Sequence, residues 1–328
     1  MSENSLSQFG LDRDESGDDV VVPFTLDRLG SRGRLTRLGE AIDLILSRHN
    51  YPTPVARVLG EAVVLASLIG SSLKFDGRFI LQTQSDGPVN MIIVDFNTPD
   101  GLRGYARFNQ EALLKYSEQG KTSAGELLGK GHLAMSIDQG SDMERYQGVV
   151  ELDGTGFESA ADQYFKQSEQ IPTKVRLAVA QHQVRGEKTA HWRAAGILVQ
   201  HLPKAKNDDE SLEQNNEFDD GLSDEEKQED NWLETKSLLS TLGDDELVDP
   251  DISPERLLFR LYHETGVRVF TPQSLEERCT CSPERIEDML ANSFSPKGRE
   301  EMIKNGEIEV TCEFCSTTYN FNPNLFNI

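Results

Sequence analysis

Residues 74–108, KFDGRFILQTQSDGPVNMIIVDFNTPDGLRGYARF, hold three β-prone runs separated by Asp-Gly turns at Asp76, Asp86 and Asp100. Short apolar runs punctuated by residues that favour tight turns predict an antiparallel meander rather than strands joined by crossover helices. The segment just upstream, YPTPVARVLGEAVVLASLIGSSL, predicts a helix following Pro54. Its apolar residues wrap most of the way round, which is the pattern of a helix buried within a larger domain. A shorter helix is expected over LTRLGEAIDLILSRH, where Leu35, Leu38, Ile42, Ile45 and Leu46 are spaced to share one face.

Downstream, HLAMSID from His132 and YQGVVELD from Tyr146 are strand candidates, FESAADQYFKQSEQ from Phe157 a helix, and KVRLAVAQHQV and WRAAGILVQHL two further strands. Helices beside an antiparallel sheet define an α+β fold, expected over residues 20–203. The preceding residues 1–19 are polar and acidic and are expected to be a disordered tail. At Lys204 the composition breaks. KAKNDDESLEQNNEFDDGLSDEEKQEDN has almost no apolar residue and reads as a solvated spacer. Beyond it, WLETKSLLSTL and SPERLLFRLYHE have helical spacing, with Ser253, Pro254 and Glu255 forming a helix start. Helices this short are marginal alone, so residues 204–275 are expected to be an acidic insertion followed by a metastable helical linker.

All four cysteines lie in the last segment, residues 276–328, as Cys279 and Cys281 in RCTCS and Cys312 and Cys315 in TCEFCS. Two close pairs, C-x-C and C-x-x-C, brought together by the intervening chain place four thiolates at the corners of a tetrahedron, the arrangement a structural Zn²⁺ favours. One ion per chain is expected, with Tyr319 and Phe321 placed to pack beside it. Metal binding and folding are coupled in so small a module. A plain zinc ribbon is one reading of the spacing. Another is a sensor, because the sulfurs of C-x-C can meet once the metal is gone, and oxidation of metal-held thiolates destroys the site.

Lys and Arg total 33 against 56 Asp and Glu, a formal charge of −23, which repels nucleic acid and anionic membrane. That opposes the alternative of a zinc-ribbon module serving nucleic acid or the transcription machinery. A thiol-disulfide enzyme using Cys312 and Cys315 is opposed by the β-prone residues on both sides of the pair. The six histidines, His49, His132, His182, His191, His201 and His263, fall into no metal or catalytic spacing. No nucleophile elbow, P-loop or dinucleotide fingerprint is present, so no enzyme is expected. The N-terminus lacks the pattern of a signal peptide and the apolar run from Ala62 is short for a bilayer span, so a cytoplasmic protein is expected.

With these features in place, the sequence resembles the 33 kDa redox-regulated heat-shock chaperonin family. The likeness is carried by the four cysteines in type and order, and by GRLTRLGEAID, Gly60 with Glu61, LKFDG, SDGPV and LRGYARF. It implies an ATP-independent holdase, silent while reduced and zinc-bound. Oxidation would then form disulfides Cys279 to Cys281 and Cys312 to Cys315, release zinc and free the linker to expose a surface for unfolding client proteins. It also implies a homodimer in the active state. The acidic stretch from about Lys206 to Asn231 is longer than the family pattern leads one to expect.

Overall fold

The structure is a computed structural model that describes residues 17–73, 76–139, 146–183, 186, 188–202 and 223–326. The expected tail up to residue 16 and the acidic stretch 203–222 lie outside the described residues. The chain opens with strands β1 (Val20–Leu26) and β2 (Ser31–Leu38), then helices α1 (Glu40–Ser47) and α2 (Thr53–Gly70). The predicted meander follows as β3 (Arg78–Ser85), β4 (Val89–Asn97) and β5 (Gly101–Phe108), paired antiparallel in sequence order. Two short helices, α3 (Gln110–Glu118) and α4 (Ala124–Leu128), lead to β6 (Lys130–Asp138) and β7 (Tyr146–Asp153). Helix α5 (Phe157–Tyr164) then leads to β8 (Thr173–His182) and β9 (His191–His201).

These strands form two sheets. One contains β1, β2, β9 and β8 in that order, the other β5, β4, β3, β6 and β7. Helix α2 lies between them, packing on β4 and β5 on one side and on β8 and β9 on the other. That sandwiched position explains its all-round apolar surface: its length and hydropathy would suit a membrane span, yet 78% of it is buried inside the protein. Close approach requires small residues. A Cβ on Gly196 of β9 would sit 2.5 Å from the Val64 side chain of α2, and one on Gly60 would meet Val179 of β8 at 2.9 Å.

The fold corrects the expected start of the first helix. Leu35 and Leu38 belong to β2, not to a helix, and α1 begins only at Glu40. Their spacing mimics a helical face, but the strand sends Leu38 into the core around α2 and Leu35 into a second cluster on the outer face of the sheet. The end of the expected disordered tail is anchored: Asp19 accepts hydrogen bonds from the backbone N–H of Gly39, Glu40 and Ala41, capping α1, and Asp18 pairs with Arg193.

The outer face of the first sheet is covered by helices α6 (Asp224–Ser240), α7 (Asp244–Val248) and α8 (Pro254–Tyr262). Helix α6 starts eight residues earlier than the composition suggests, since Ser223 and Glu226 form a reciprocal capping box inside the acidic stretch and Asn231 lies within the helix. Leu239, Leu247, Leu257, Leu258 and Tyr262 pack onto Val22, Phe24, Leu35 and Ile197. Phe24 and Tyr262 stack with ring centroids 6.0 Å apart. The seam is also polar. Arg37, wholly buried, donates to the backbone carbonyls of Leu247, Asp249 and Ile252, and Arg193 donates to that of Val248. Guanidinium groups thus cap the C-terminal end of α7, where carbonyls lack helical partners.

A cavity of about 550 Å³ opens along this seam between Glu61, Glu158 and Arg176 on one side and Lys236 and Asp244 of the covering helices on the other. Burial pushes the Glu61 carboxyl up to about 8, with Glu158 and Asp244 adding to the shift and Arg57 opposing it. The folded protein therefore holds a proton that the unfolded chain releases at ordinary carboxylate pH. Stability from this group is full below 4.5 and is lost as pH rises to about 8. We expect Glu61→Gln to flatten that fall. The check is the thermal midpoint at about pH 6 and about pH 8, where wild type should lose stability and the variant should not.

Candidate metal centre

After α8 the chain returns along the first sheet as β10 (Arg268–Val269) and β11 (Gln273–Ser274), both paired with β1. It then crosses to the second sheet, where β12 (Glu276–Glu277) pairs parallel with β5. Cys279 follows two residues later. The helices α9 (Pro283–Ser293) and α10 (Pro296–Glu301) lead into a small sheet of β13 (Ile303–Lys304), β14 (Glu307–Thr311) and β15 (Thr318–Phe321). Cys312 and Cys315 sit in the turn between β14 and β15. There the amide of Cys312 donates to the Thr317 carbonyl and the amide of Ser316 to that of Cys312. A separate cluster of Ile286, Leu290, Ile308, Phe321 and Phe326 supports the turn.

The fold brings all four predicted cysteines together. Their sulfurs lie within 4.8 Å of one another, with Cys279 to Cys281 at 3.4 Å, Cys279 to Cys312 at 3.7 Å and Cys281 to Cys315 at 3.3 Å. A tetrahedron with metal–sulfur bonds of about 2.3 Å has edges of about 3.8 Å, so the donor set fits a single tetrahedral ion. Cys281 and Cys315 are perturbed in opposite directions. Burial pushes the Cys281 thiol up to about 12, helped by hydrogen bonds from the neighbouring cysteines. Cys315 is drawn down to about 7 against its own burial, by the hydroxyl and amide of Thr317 and by hydrogen bonds from Cys281 and Cys279. The expected neighbour Tyr319 does touch the site, its hydroxyl 3.2 Å from the Cys281 sulfur, while Phe321 packs in the cluster below.

Sequence reasoning missed the core side of the site. Arg48 holds Glu277 with a bidentate pair at 2.6 and 2.7 Å. His49, which falls into no metal or catalytic spacing in the sequence, lies with Nε2 3.2 Å from the Phe314 carbonyl and Nδ1 3.1 Å from the Ser316 hydroxyl. A carbonyl can only accept, so Nε2 carries a proton. Arg103 reaches both knuckles, donating to the Thr280 hydroxyl at 2.8 Å and covering the Phe314 ring at 4.1 Å. No local pattern signals these contacts.

A two-sheet α+β fold around a buried helix, carrying a four-thiol centre that can hold one metal ion, is the class this architecture defines. Residues 19–322 match the family model described as Hsp33 protein. The 33 kDa chaperonin of Caulobacter vibrioides is 46% identical over 308 residues, covering 93% of this chain and 95% of the relative. That of Pseudomonas fluorescens is 34% identical over 305 residues, covering 93% and 91%. The fold matches the crystal structure of the 33 kDa chaperonin from Thermotoga maritima with a TM-score of 0.71 at 20% identity, over 94% of this chain and 97% of the other. The chain belongs to the Hsp33 family, which consists of chaperones rather than enzymes.

Proposed function

We propose that this protein is a redox-regulated, ATP-independent holdase of the bacterial cytoplasm that binds unfolding client proteins and prevents their aggregation. In the reduced state Cys279, Cys281, Cys312 and Cys315 hold one Zn²⁺, which keeps all four sulfurs as thiolates. The organisation follows the same reading: a core over 20–203, a linker over 204–275 and a switch over 276–328. One observation carries it. The helices that cover an apolar sheet face are joined to the strand entering the four-thiol centre by two short strands, β10 and β11.

Oxidation by peroxide then couples chemistry to exposure. Each pair of thiolates gives up two electrons to one peroxide, which takes two protons from solvent and becomes two waters as one S–S bond forms and the two metal–sulfur bonds break. The pairing proposed is Cys279 with Cys281 and Cys312 with Cys315, taken from the family resemblance. Sulfur distances do not choose it, since contacts across the knuckles are as short. With the ligands consumed, the small cluster below the site cannot hold the module, and α6 to α8 lose the anchor at their C-terminal side. The uncovered face and the released helices offer apolar surface to clients, and dimerisation accompanies the active state.

The test exposes the zinc-loaded protein to peroxide at mildly raised temperature. Metal release is followed with a colorimetric chelator, and light scattering by an unfolding client is followed in parallel. Release together with suppressed scattering is expected; release with no gain in suppression would reject the reading.

A further inference from the structure

We propose that Arg103 of β5 is a positioning residue of the switch, clasping both cysteine knuckles to the core so that neither can leave alone. The inference rests on the redox-switch reading above and assigns the contact through which the core registers the state of the metal centre. Arg103 grips one residue of each knuckle: Thr280, which lies between Cys279 and Cys281, and Phe314, which immediately precedes Cys315. It also hydrogen-bonds the Cys279 sulfur.

The geometry is specific to an arginine. Nε donates to Asp95 Oδ2 at 2.8 Å and one Nη donates to the same oxygen, which fixes the plane of the guanidinium. Asp95 is almost fully buried and is also approached by Arg78 at 3.5 Å, so the anchor itself is rigid. With the plane fixed, the second Nη points at the Thr280 hydroxyl and the flat face lies over Phe314. A lysine offers a point charge and cannot pair, donate and stack at once.

The surroundings complete the clasp. The Tyr105 ring meets Phe314 edge-on at 6.4 Å, and His49 holds the residues on both sides of Cys315 through the Phe314 carbonyl and the Ser316 hydroxyl. On the other knuckle, Arg48 holds Glu277, and the amide of Arg278 donates to the Leu102 carbonyl of β5 at 2.8 Å. Each knuckle thus has its own tether, and Arg103 is the side chain common to both. While one tether holds, the other is confined near its site and rebinds readily, so release requires both knuckles to change.

The experiment compares wild type with Phe314→Ala, Arg103→Lys and the double variant Arg103→Gln with Asp95→Asn, which avoids leaving Asp95 buried without a partner. In the reduced, zinc-loaded proteins, amide hydrogen exchange over residues 276–282 and 312–316 should be about tenfold faster in all three variants, with zinc content equal to wild type. Peroxide should then release zinc several-fold faster from the variants. Exchange and release at wild-type rates in both Phe314→Ala and the double variant would overturn the inference. If wild type itself gains no anti-aggregation activity on oxidation, the redox reading fails instead. The exchange comparison uses no oxidant and still decides whether the clasp exists.

Discussion

Leu258→Ala is expected to produce a protein that suppresses client aggregation while still reduced and still carrying its metal. Leu258 is wholly buried between α8 and the outer face of the first sheet, among Phe24, Leu35 and Tyr262. Truncating a buried leucine costs about 2–5 kcal/mol, and here the loss falls on the docking of a helix too short to stand alone. The four thiols are untouched, so metal content should match wild type. Scattering assays on the reduced protein, alongside binding of a dye specific for apolar surface, read the outcome. A variant that is destabilised yet silent until oxidised would show that linker release is not what activates the protein.

The second large effect is at the metal centre. Replacing Cys279, Cys281, Cys312 and Cys315 together by serine should abolish metal binding and unfold the chain from Pro283 onward. Among the described residues, five buried apolar side chains, with Met302, Ile303, Val310 and Tyr319 partly buried against them, form the cluster beneath the site. Ligation of a structural Zn²⁺ by a small module contributes about 10–16 kcal/mol at neutral pH, far more than such a cluster supplies. Amide exchange over α9, α10, β14 and β15 should approach unfolded rates, and a chelator should bring wild type to the same state. Protection that survives in the serine variant would show that the segment folds without metal.

What the sequence disclosed follows from how local each signal is. The meander was legible because Asp86 with Gly87 and Asp100 with Gly101 mark turns beside alternating residues. The metal centre was legible because the cysteines are few and closely paired. By contrast β1 carries apolar residues facing both ways, Val21 toward α2 and Val22 and Phe24 toward α8, so it lacks the alternation that announces a strand. The cause lies more than 200 positions away, in helices that cover its outer face. Acidic composition likewise hid the start of α6, although Ser223 and Glu226 stand at capping-box spacing. Arg48, His49 and Arg103 gave no signal, since Arg103 and Thr280 are 177 positions apart and His49 and Phe314 are 265 apart.

The short strands between α8 and Cys279 carry a consequence for how such a protein varies. Val269 is in register with Phe24, Gln273 with Val21, and Glu276 with Gly101 on the other sheet. Within a few residues the backbone is fixed to two sheets, through amides and carbonyls that any residue but proline provides. Apart from Leu275, which is buried in the core, side chains there are constrained less than the number of residues. One residue added or lost between Val269 and Glu276 would put the cysteine knuckle out of step with the core that holds it. In this interval the fold constrains a length more than a text.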